Sequence, residues 1–231
     1  MNEWRVAGLS SAGAVLCCLA LVACGSEPTG QHADAEASLR IVNVAQIGPS
    51  LRLLIDGEEV GSLAFGEATA HFTTAAECEI EARHAITNAN LLTSSLILTA
   101  GGSSTVLVTG PLMGLTAFVV ADADSLPAAG TVELRVIHMA PYADPFDLYL
   151  TEPGADSAQP WVAPFSYESV TPYRPGQPGT YVINTVRAGN GRIGEIMRIY
   201  TLTLPVGRVR TVVVIDGING YMEFLELDDF L

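Results

Sequence analysis

The feature that most constrains the fold of this chain is a repetition of short apolar segments. Residues 39–45 align with residues 134–140, and residues 105–108 align with residues 211–214. The order of the matching segments is kept, and the offset between them only grows along the chain. We therefore expect two copies of one unit, the second with insertions in its loops, where folds tolerate added residues.

The segments inside each copy have the pattern of β-strands. Residues 51–55 run into Asp56 and Gly57, a dipeptide typical of hairpin turns. Residues 78–83 alternate apolar and charged side chains, which gives one face for a core and one for solvent. No stretch after residue 24 has a sustained helical period. We predict an all-β fold of two tandem immunoglobulin-like, or transthyretin-like, antiparallel β-sandwich domains.

The N-terminal segment has the features of an export signal. A short, weakly charged start precedes an apolar run that is shorter than the about 20 residues needed for a membrane span. The run ends in Leu21-Val22-Ala23-Cys24, which resembles the bacterial lipobox. That resemblance implies cleavage before Cys24 and attachment of lipid to its thiol. The alternatives are an uncleaved anchor helix and a secreted protein in which Cys24 has no special role.

The segment after Cys24 is small, polar and acidic, without periodicity, and is typical of a flexible tether. A short stretch rich in Pro, Ala and Gly separates the two copies. The predicted organisation is a signal peptide at 1–23, a flexible acidic tether at 24–38, a first sandwich at 39–125, a linker at 126–130 and a second sandwich at 131–231.

The first strand and loop of the second copy read R-V-I-H-M-A-P-Y-A-D-P-F-D-L-Y over residues 135–149, which is close to the pattern R-V-V-H-A-S-P-x-A-P-x-V-D-V-Y, with Met139-Ala140 where Ala-Ser is usual. This segment resembles a bacterial repeat domain of unknown function that carries the pattern. The first copy departs from it, since Asn43 replaces the histidine. The resemblance covers about residues 39–230 in two copies, and it implies a sandwich fold, frequent lipoprotein or cell-wall contexts and no particular activity. The matching residues are Arg135, Val136, His138, Pro141, Pro145, Asp147 and Tyr149.

The charge of the chain excludes several partners. The net charge is −14 and there is no lysine, so the basic surface that nucleic acids or anionic lipids require is missing. No C-x-x-C pair suggests a zinc or redox site, and we expect neither metal nor cofactor. Cys78 lies on the apolar face of its strand, where we expect an inert buried thiol.

His138 is the most obvious candidate for chemistry. It lies near Asp144 and Asp147 in the sequence, so a metal site or a general base could be built around it. However, Asn43 occupies the same position in the first copy, and histidine and asparagine share the ability to hydrogen-bond the backbone. We therefore expect a structural role, in which His138 and Asp147 fix the proline-containing loop, and we keep an enzyme around these two residues as an alternative.

Three further groups of residues are candidates for binding sites. Residues 189–194 satisfy G-x-G-x-x-G, but a strand pattern follows where phosphate binding needs a helix, so we predict a hairpin turn. The acidic ends of the last strands of both copies are expected to be solvated rather than to bind calcium: Asp122, Asp124, Glu226, Asp228 and Asp229. Aromatic side chains of the second copy could stack on a glycan or anchor a peptide: Trp161, Tyr167 and Tyr173.

These observations favour a protein that is not an enzyme. No G-x-S-x-G motif or other nucleophile with a nearby base is present in the sequence. We expect a lipid-anchored envelope protein, held by Cys24 at the outer membrane and facing the periplasm or the cell surface. Its expected partners are the membrane and another envelope protein or a glycan. The alternative is a glycan- or peptide-binding module that uses the aromatic residues of the second domain.

Overall fold

Four four-stranded β-sheets make up the fold. The fold is that of a computed structural model, which describes residues 35–45, 50–111, 114–155, 159–191, 195–217 and 219–230. Every regular element in these ranges is a β-strand, which confirms the predicted all-β class. The described ranges also contain no helix with the length and hydropathy needed to cross a membrane. The predicted signal peptide and Cys24 lie outside them.

The first half of the described chain is a sandwich of two sheets. Its inner sheet has the order β4-β1-β7-β8 and its outer sheet the order β3-β2-β5-β6. Their facing side chains form one hydrophobic core that includes Leu39, Leu53 and Ile80. The strands are β1 Glu36–Asn43, β2 Leu51–Ile55, β3 Glu58–Leu63, β4 Phe72–Ala75, β5 Glu77–His84, β6 Asn90–Ile97, β7 Ser103–Thr109 and β8 Thr116–Ala121.

The second half repeats this arrangement. Its inner sheet has the order β12-β9-β15-β16 and its outer sheet the order β11-β10-β13-β14. The core between them includes Val136, Phe146 and Tyr181. The strands are β9 Val132–Met139, β10 Phe146–Thr151, β11 Val162–Phe165, β12 Arg174–Gly176, β13 Gly179–Arg187, β14 Ile196–Leu204, β15 Val209–Asp216 and β16 Met222–Asp228.

Local sequence explains the outer strands well. Leu51, Leu53 and Ile55 of β2 are buried, and the side chains between them are half-buried. The turn from β2 to β3 places Asp56 at φ 50° and Gly57 at φ 82°, the left-handed pair that a two-residue hairpin with the twist of a β-ribbon requires. The predicted hairpin at Asp56 and Gly57 is confirmed.

One strand pair in each half is parallel, within sheets that are otherwise antiparallel as predicted. β1 pairs with β7 in parallel, and β9 pairs with β15 in parallel, whereas the other pairs are antiparallel. Parallel neighbours in one sheet need a long connection between them. The strands of the outer sheet provide that connection in each half.

The two inner sheets pack on each other through a third hydrophobic cluster, which makes a stack of four sheets. The middle strands of the inner sheets are therefore buried on both faces, and nearly every one of their residues is buried. The buried members of this cluster are Val42, Val44, Leu107 and Val120 from the first half and Ile137, Met139, Val213, Ile215 and Leu227 from the second.

The first strand begins earlier than predicted. β1 starts at Glu36, and Ala37 is 3% exposed within the core of the first half, so the last residues assigned to the tether at 24–38 belong to the sandwich. Alanine is too small to show up as an apolar signal, although it fills a core position. The predicted linker at 126–130 lies in the connection between β8 and β9.

Candidate functional site

Two arginines lie in the middle of the apolar inner strands, where the two halves meet. Arg40 on β1 is 4% exposed and Arg135 on β9 is 2% exposed. Burial of a charged group costs several kcal/mol unless it is paired and hydrogen-bonded. The partners of these two side chains therefore define the site.

Arg40 bridges the first half to the end of the second. Its Nη2 donates to Oδ1 of Asp229 at 2.7 Å, and its Nη1 donates to the carbonyl of Asp228 at 2.5 Å. Its Nε and Nη2 also donate to Oγ1 of Thr105 on the neighbouring strand, at 3.1 and 2.8 Å. The guanidinium is thus held by both halves.

Arg135 makes the same set of contacts in the opposite direction. Its Nη2 donates to Oδ1 of Asp122 at 2.9 Å, and its Nη1 donates to the carbonyl of Ala121 at 2.5 Å. Its Nε donates to Oγ1 of Thr211 at 2.7 Å. Each arginine therefore pairs with a threonine of its own half and an aspartate of the other. We call the two arginines, two threonines and two aspartates the junction network.

The two aspartates of the junction network are buried, which corrects the expectation of solvated strand ends. Asp122 is 9% exposed and Asp229 is 6% exposed. Burial raises the pKa of the Asp122 carboxyl, but hydrogen bonds from His71 and Thr105 and the charges of both arginines outweigh it and hold that pKa below its ordinary value. An ionised carboxylate is the form that pairs with arginine.

Tyr173 completes the junction network on one side. Its hydroxyl donates to Oδ2 of Asp229 at 2.8 Å and accepts from the backbone N–H of Ala123 at 3.2 Å. The guanidinium carbon of Arg135 lies 4.5 Å from the centre of its ring, at the distance of a cation–π contact. Burial, together with the charge of Asp229, raises the pKa of Tyr173. The hydroxyl therefore stays protonated and acts as a donor.

The predicted aromatic residues do not come together as one stacking surface. Tyr167 and Tyr173 are half-buried, and Tyr167 exchanges a hydrogen bond with Thr109 of the first half at 3.3 Å. Trp161 is half-buried against the core, with the Arg174 guanidinium 5.8 Å from its ring. Among the described residues no ring contact joins Trp161 to either tyrosine. Tyr173 therefore contacts the junction network, and Tyr167 contacts the first half at Thr109.

His138 is enclosed rather than poised for catalysis. It is 0% exposed, its ring stacks on Phe146 at 4.7 Å, and its Nδ1 accepts the backbone N–H of Ala140 at 3.2 Å. Burial lowers the pKa of His138 to about 4, so the ring is neutral at physiological pH. In the first half Oδ1 of Asn43 accepts the N–H of Ala45 at 3.1 Å, which is the equivalent bond.

Asp147 is not brought to His138. Its Oδ2 accepts the backbone N–H of Gly189 at 3.1 Å, so it holds the turn between β13 and β14 rather than the proline loop. Asp144 lies at the surface, 3.4 Å from Arg187. Across the described ranges no three His, Cys, Asp or Glu side chains cluster closely enough to hold a metal ion.

The remaining sequence candidates have structural explanations. Gly189 and Gly191 lie between β13 and β14, which pair as antiparallel neighbours, so the described part of the glycine motif belongs to a hairpin connection, as predicted. Cys78 is 7% exposed and is a free thiol whose pKa is raised by burial. Both features match the interpretations made from sequence.

A cleft of about 540 Å³ opens beside the junction network. The ion pair of Arg135 and Asp122 lines it, but both charged groups already have their hydrogen-bond partners inside the protein. The remaining wall is largely apolar and includes Val170, which is 38% exposed. The cleft suits an extended or apolar segment better than a charged one. Its other lining residues are Thr99, Gly102, Ser103, Val120, Ala121, Ala123, Asp124, Thr171, Pro172 and Tyr173.

Sequence reasoning missed the junction network, although a signal for it exists. An arginine stands among the buried residues of both β1 and β9, at residues 40 and 135. A charged residue inside a strand buried on both faces requires a partner elsewhere in the chain.

A domain of unknown function, DUF4397, is found at residues 37–149. The match spans the first half and the first two strands of the second half. No curated protein matches the chain.

Two solved structures match this chain at low similarity. The first is a product complex of SpuA, a multi-modular glycogen-degrading pneumococcal virulence factor, at 11% identity and a TM-score of 0.26. It matches 79% of this chain, which spans about a fifth (21%) of its length. The second is GBS52, the minor pilin of Streptococcus agalactiae, at 11% identity and a TM-score of 0.22, covering 77% of this chain and 94% of that one. At these TM-scores neither protein's role transfers to this chain.

Proposed function

We propose that this chain is a non-enzymatic, lipid-anchored envelope protein that presents two joined β-sandwich units to another envelope component. The observation that carries the proposal is the junction network, in which Arg40 pairs with Asp229 and Arg135 pairs with Asp122. Buried charges paired across a contact fix its register, because a shifted arrangement would leave them unpaired. The two units would thus act as one rigid body.

We further propose that the halves are two copies of the same repeat unit. The matched roles of Arg40 and Arg135 support this, as do the matched roles of Asn43 and His138. In each pair the equivalent side chain makes the equivalent hydrogen bond in its own half. Duplication of one unit explains how a reciprocal contact between halves could arise.

The absence of an enzymatic role is part of the proposal. The candidate general base His138 is buried, and its Nδ1 accepts a backbone N–H. The carboxylate of Asp147 accepts another, and Cys78 is a buried thiol of raised pKa. The burial of these groups and the hydrogen bonds of His138 and Asp147 support the proposal, because a catalytic group must be able to reach a substrate.

The anchor and the location rest on the sequence. The Leu-Val-Ala-Cys segment ending at Cys24 supports lipidation, and the acidic residues that follow supply a tether. We propose attachment to the outer membrane, with the sandwiches facing the periplasm or the cell surface.

The anchor is tested by comparing Cys24→Ala with Cys78→Ala in a producing bacterium. We expect Cys24→Ala to move the protein from the membrane fraction to the soluble fraction without changing its circular dichroism spectrum. Cys78→Ala should remain in the membrane fraction. Retention of Cys24→Ala in the membrane fraction would contradict the lipid anchor. A separate experiment, crosslinking in intact cells, would identify the envelope partner.

A second candidate function is recognition of a peptide or glycan, and the cleft beside the junction favours it. Its apolar wall offers a surface for an extended segment. Val170→Asp should abolish such binding, whereas Ile86→Asp, at a side chain 85% exposed and outside the residues that line the cleft, should not. Peptide and glycan arrays probed with both variants test this. Equal signals from Val170→Asp and wild type would count against the cleft, and unchanged glycan signals after Trp161→Ala would exclude that ring.

A further inference from the structure

A second cleft, of about 420 Å³, opens at the opposite end of the second half from β12, between three connected segments. One wall is the proline loop with Tyr142 and Asp144, and another is the turn into β16 with Tyr221 and Met222. Asp216, the last residue of β15, also lines it. The remaining lining residues are Ala143, Met197 and Gly220.

Asp216 is a buried carboxylate without a cationic partner in the described part of the chain. It is 7% exposed, and its Oδ2 accepts the backbone N–H of Tyr142 at 3.0 Å. None of the ion pairs formed within the described ranges includes it. Burial raises the pKa of the Asp216 carboxyl, and the single backbone bond only partly offsets that effect.

Two other buried aspartates, Asp122 and Asp229, have a different environment. Asp122 and Asp229 each have an arginine within hydrogen-bond distance, at 2.9 and 2.7 Å. Asp216 instead faces an open cleft. A carboxylate withdrawn from water and left without a counter-charge is stabilised by a cation that enters from outside.

The side chains that line the cleft favour one class of cation over others. Tyr142 and Tyr221 are 60% and 67% exposed, large fractions for aromatic side chains, and two methionines add polarisable apolar surface. A small, strongly hydrated metal ion gains little from such walls. An alkylated ammonium group gains from the ring faces as well as from the carboxylate, and quaternary ammonium groups are commonly recognised in this way.

We propose that this cleft binds an organic cation of the alkylammonium class, with Asp216 as the counter-ion and with Tyr142 and Tyr221 as ring contacts. The volume holds a trimethylammonium group with a short substituent. The site is separate from the cleft beside the junction, and it requires neither the lipid anchor nor the junction cleft to be used.

The test measures binding of choline to the purified full-length protein by isothermal titration calorimetry and by ligand-observed NMR. The comparison ligand is 3,3-dimethylbutan-1-ol, which has nearly the shape of choline without its charge. We expect saturable binding of choline and none of the neutral alcohol at the same concentrations. A peptide with one trimethyl-lysine carries the same cation, and tighter binding of that peptide would indicate a protein as the source.

Variants locate the binding. Asp216→Asn keeps the acceptor for the N–H of Tyr142 and removes the charge, and Tyr221→Leu removes an exposed ring that the fold does not need. Each should weaken choline binding by about tenfold or more, as expected for loss of an ionic or cation–π contact. Asp124→Asn, an exposed aspartate outside this cleft, should bind as wild type.

Three results would overturn the proposal. The first is that the wild type shows no saturable binding of choline. The second is that the neutral alcohol binds as tightly as choline. The third is that Asp124→Asn weakens choline binding as much as Asp216→Asn does. Thermal unfolding of each variant identifies any loss of fold. If Asp216→Asn is unfolded, the choline binding of Tyr221→Leu tests the proposal instead, because the side chain of Tyr221 is largely outside the core.

Discussion

The guanidinium of Arg40 and the carboxylate of Asp229 lie 2.7 Å apart, although 189 residues separate them in the chain. Arg135 and Asp122 have the same relationship in reverse, at 2.9 Å. The charge of Arg40, on the first strand of the first half, is thus balanced by a carboxylate at the end of the second half. The charge of Arg135, on the first strand of the second half, is balanced by a carboxylate at the end of the first half. Each half supplies the charge that the other half buries.

Loss of one partner in this pair should destabilise the protein strongly. Arg40→Met leaves the carboxylate of Asp229 buried without its ion pair, and we expect a loss of about 3–5 kcal/mol in the free energy of unfolding. The matched control is Arg52→Met, whose pair with Glu59 is exposed and should be worth about 0–1 kcal/mol. Urea unfolding followed by circular dichroism measures both. Equal losses in the two variants would contradict the role assigned to Arg40.

Acid should weaken the junction through Asp122. Because its folded pKa lies below the ordinary value of 3.8, its contribution to stability is complete above that value and is lost as the pH falls through the folded pKa. Asp122→Asn should therefore be less stable than wild type by about 3–5 kcal/mol at pH 6, and the difference should shrink below pH 3.8. Unfolding free energies of both proteins across that range measure it.

An exposed aspartate supplies the control for this experiment. Asp124→Asn removes the same charge from a solvated position two residues away. Its stability should follow that of wild type at every pH. A difference between wild type and Asp122→Asn that is independent of pH would show that the carboxylate charge is not what the junction uses.

His138 should make the second half sensitive to mild acid. Its folded pKa of about 4 lies below the ordinary 6.5, so the unfolded state binds the proton first. The stability that depends on a neutral ring is complete above pH 6.5 and falls by about 3 kcal/mol as the pH drops through this window to 4. His138→Asn introduces the residue that Asn43 provides in the first half, and it should reduce this slope. A slope equal to that of wild type would assign the acid sensitivity to other groups.

The two halves should not be independent folding units. Separated, the first half would expose the face that carries Val42 and Leu107, and Arg40 would lose its ion pair with Asp229. We expect neither half alone to be a well-behaved monomer in size-exclusion chromatography with light scattering, and we expect each to bind a hydrophobic dye.

A cleaved full-length chain is the matching control. A protease site inserted within residues 126–130 would cut the connection between β8 and β9 without touching the junction. The two fragments should stay together after cleavage and separate only in denaturant. Two stable monomers after cleavage would show that the inner sheets do not depend on each other.

The outer strands could be predicted because the alternation of residues in their sequences shows which face is buried and which is exposed. β2 and β5 alternate between core and solvent, so their period identifies them as strands, and Asp56 with Gly57 marks the turn that follows β2. The alignment of residues 39–45 with residues 134–140 also placed Asn43 and His138 at equivalent positions. Local pattern is sufficient where one face of a strand meets water.

The inner sheets escaped prediction for a physical reason. β7 and β15 are buried on both faces, so they show an apolar run without alternation, and such a run does not say what covers its second face. Asp122 and Asp229 likewise appear as acidic strand ends, which are usually solvated. Only the packing of one half on the other reveals that they are counter-ions, since each partner lies in the other half: Arg40 is 189 residues from Asp229, and Arg135 is 13 residues beyond Asp122.

The parallel pairing of β1 with β7 also has a consequence for the order of folding. Arg40 is 65 residues from Thr105 on its neighbouring strand, and Arg135 is 76 residues from Thr211. Contacts so distant in sequence form late, because a long loop must close before they stabilise anything. The bridge from Arg40 to Asp229 must wait for β16, so a chain arriving N-terminus first would lack this ion pair until its last strand is in place.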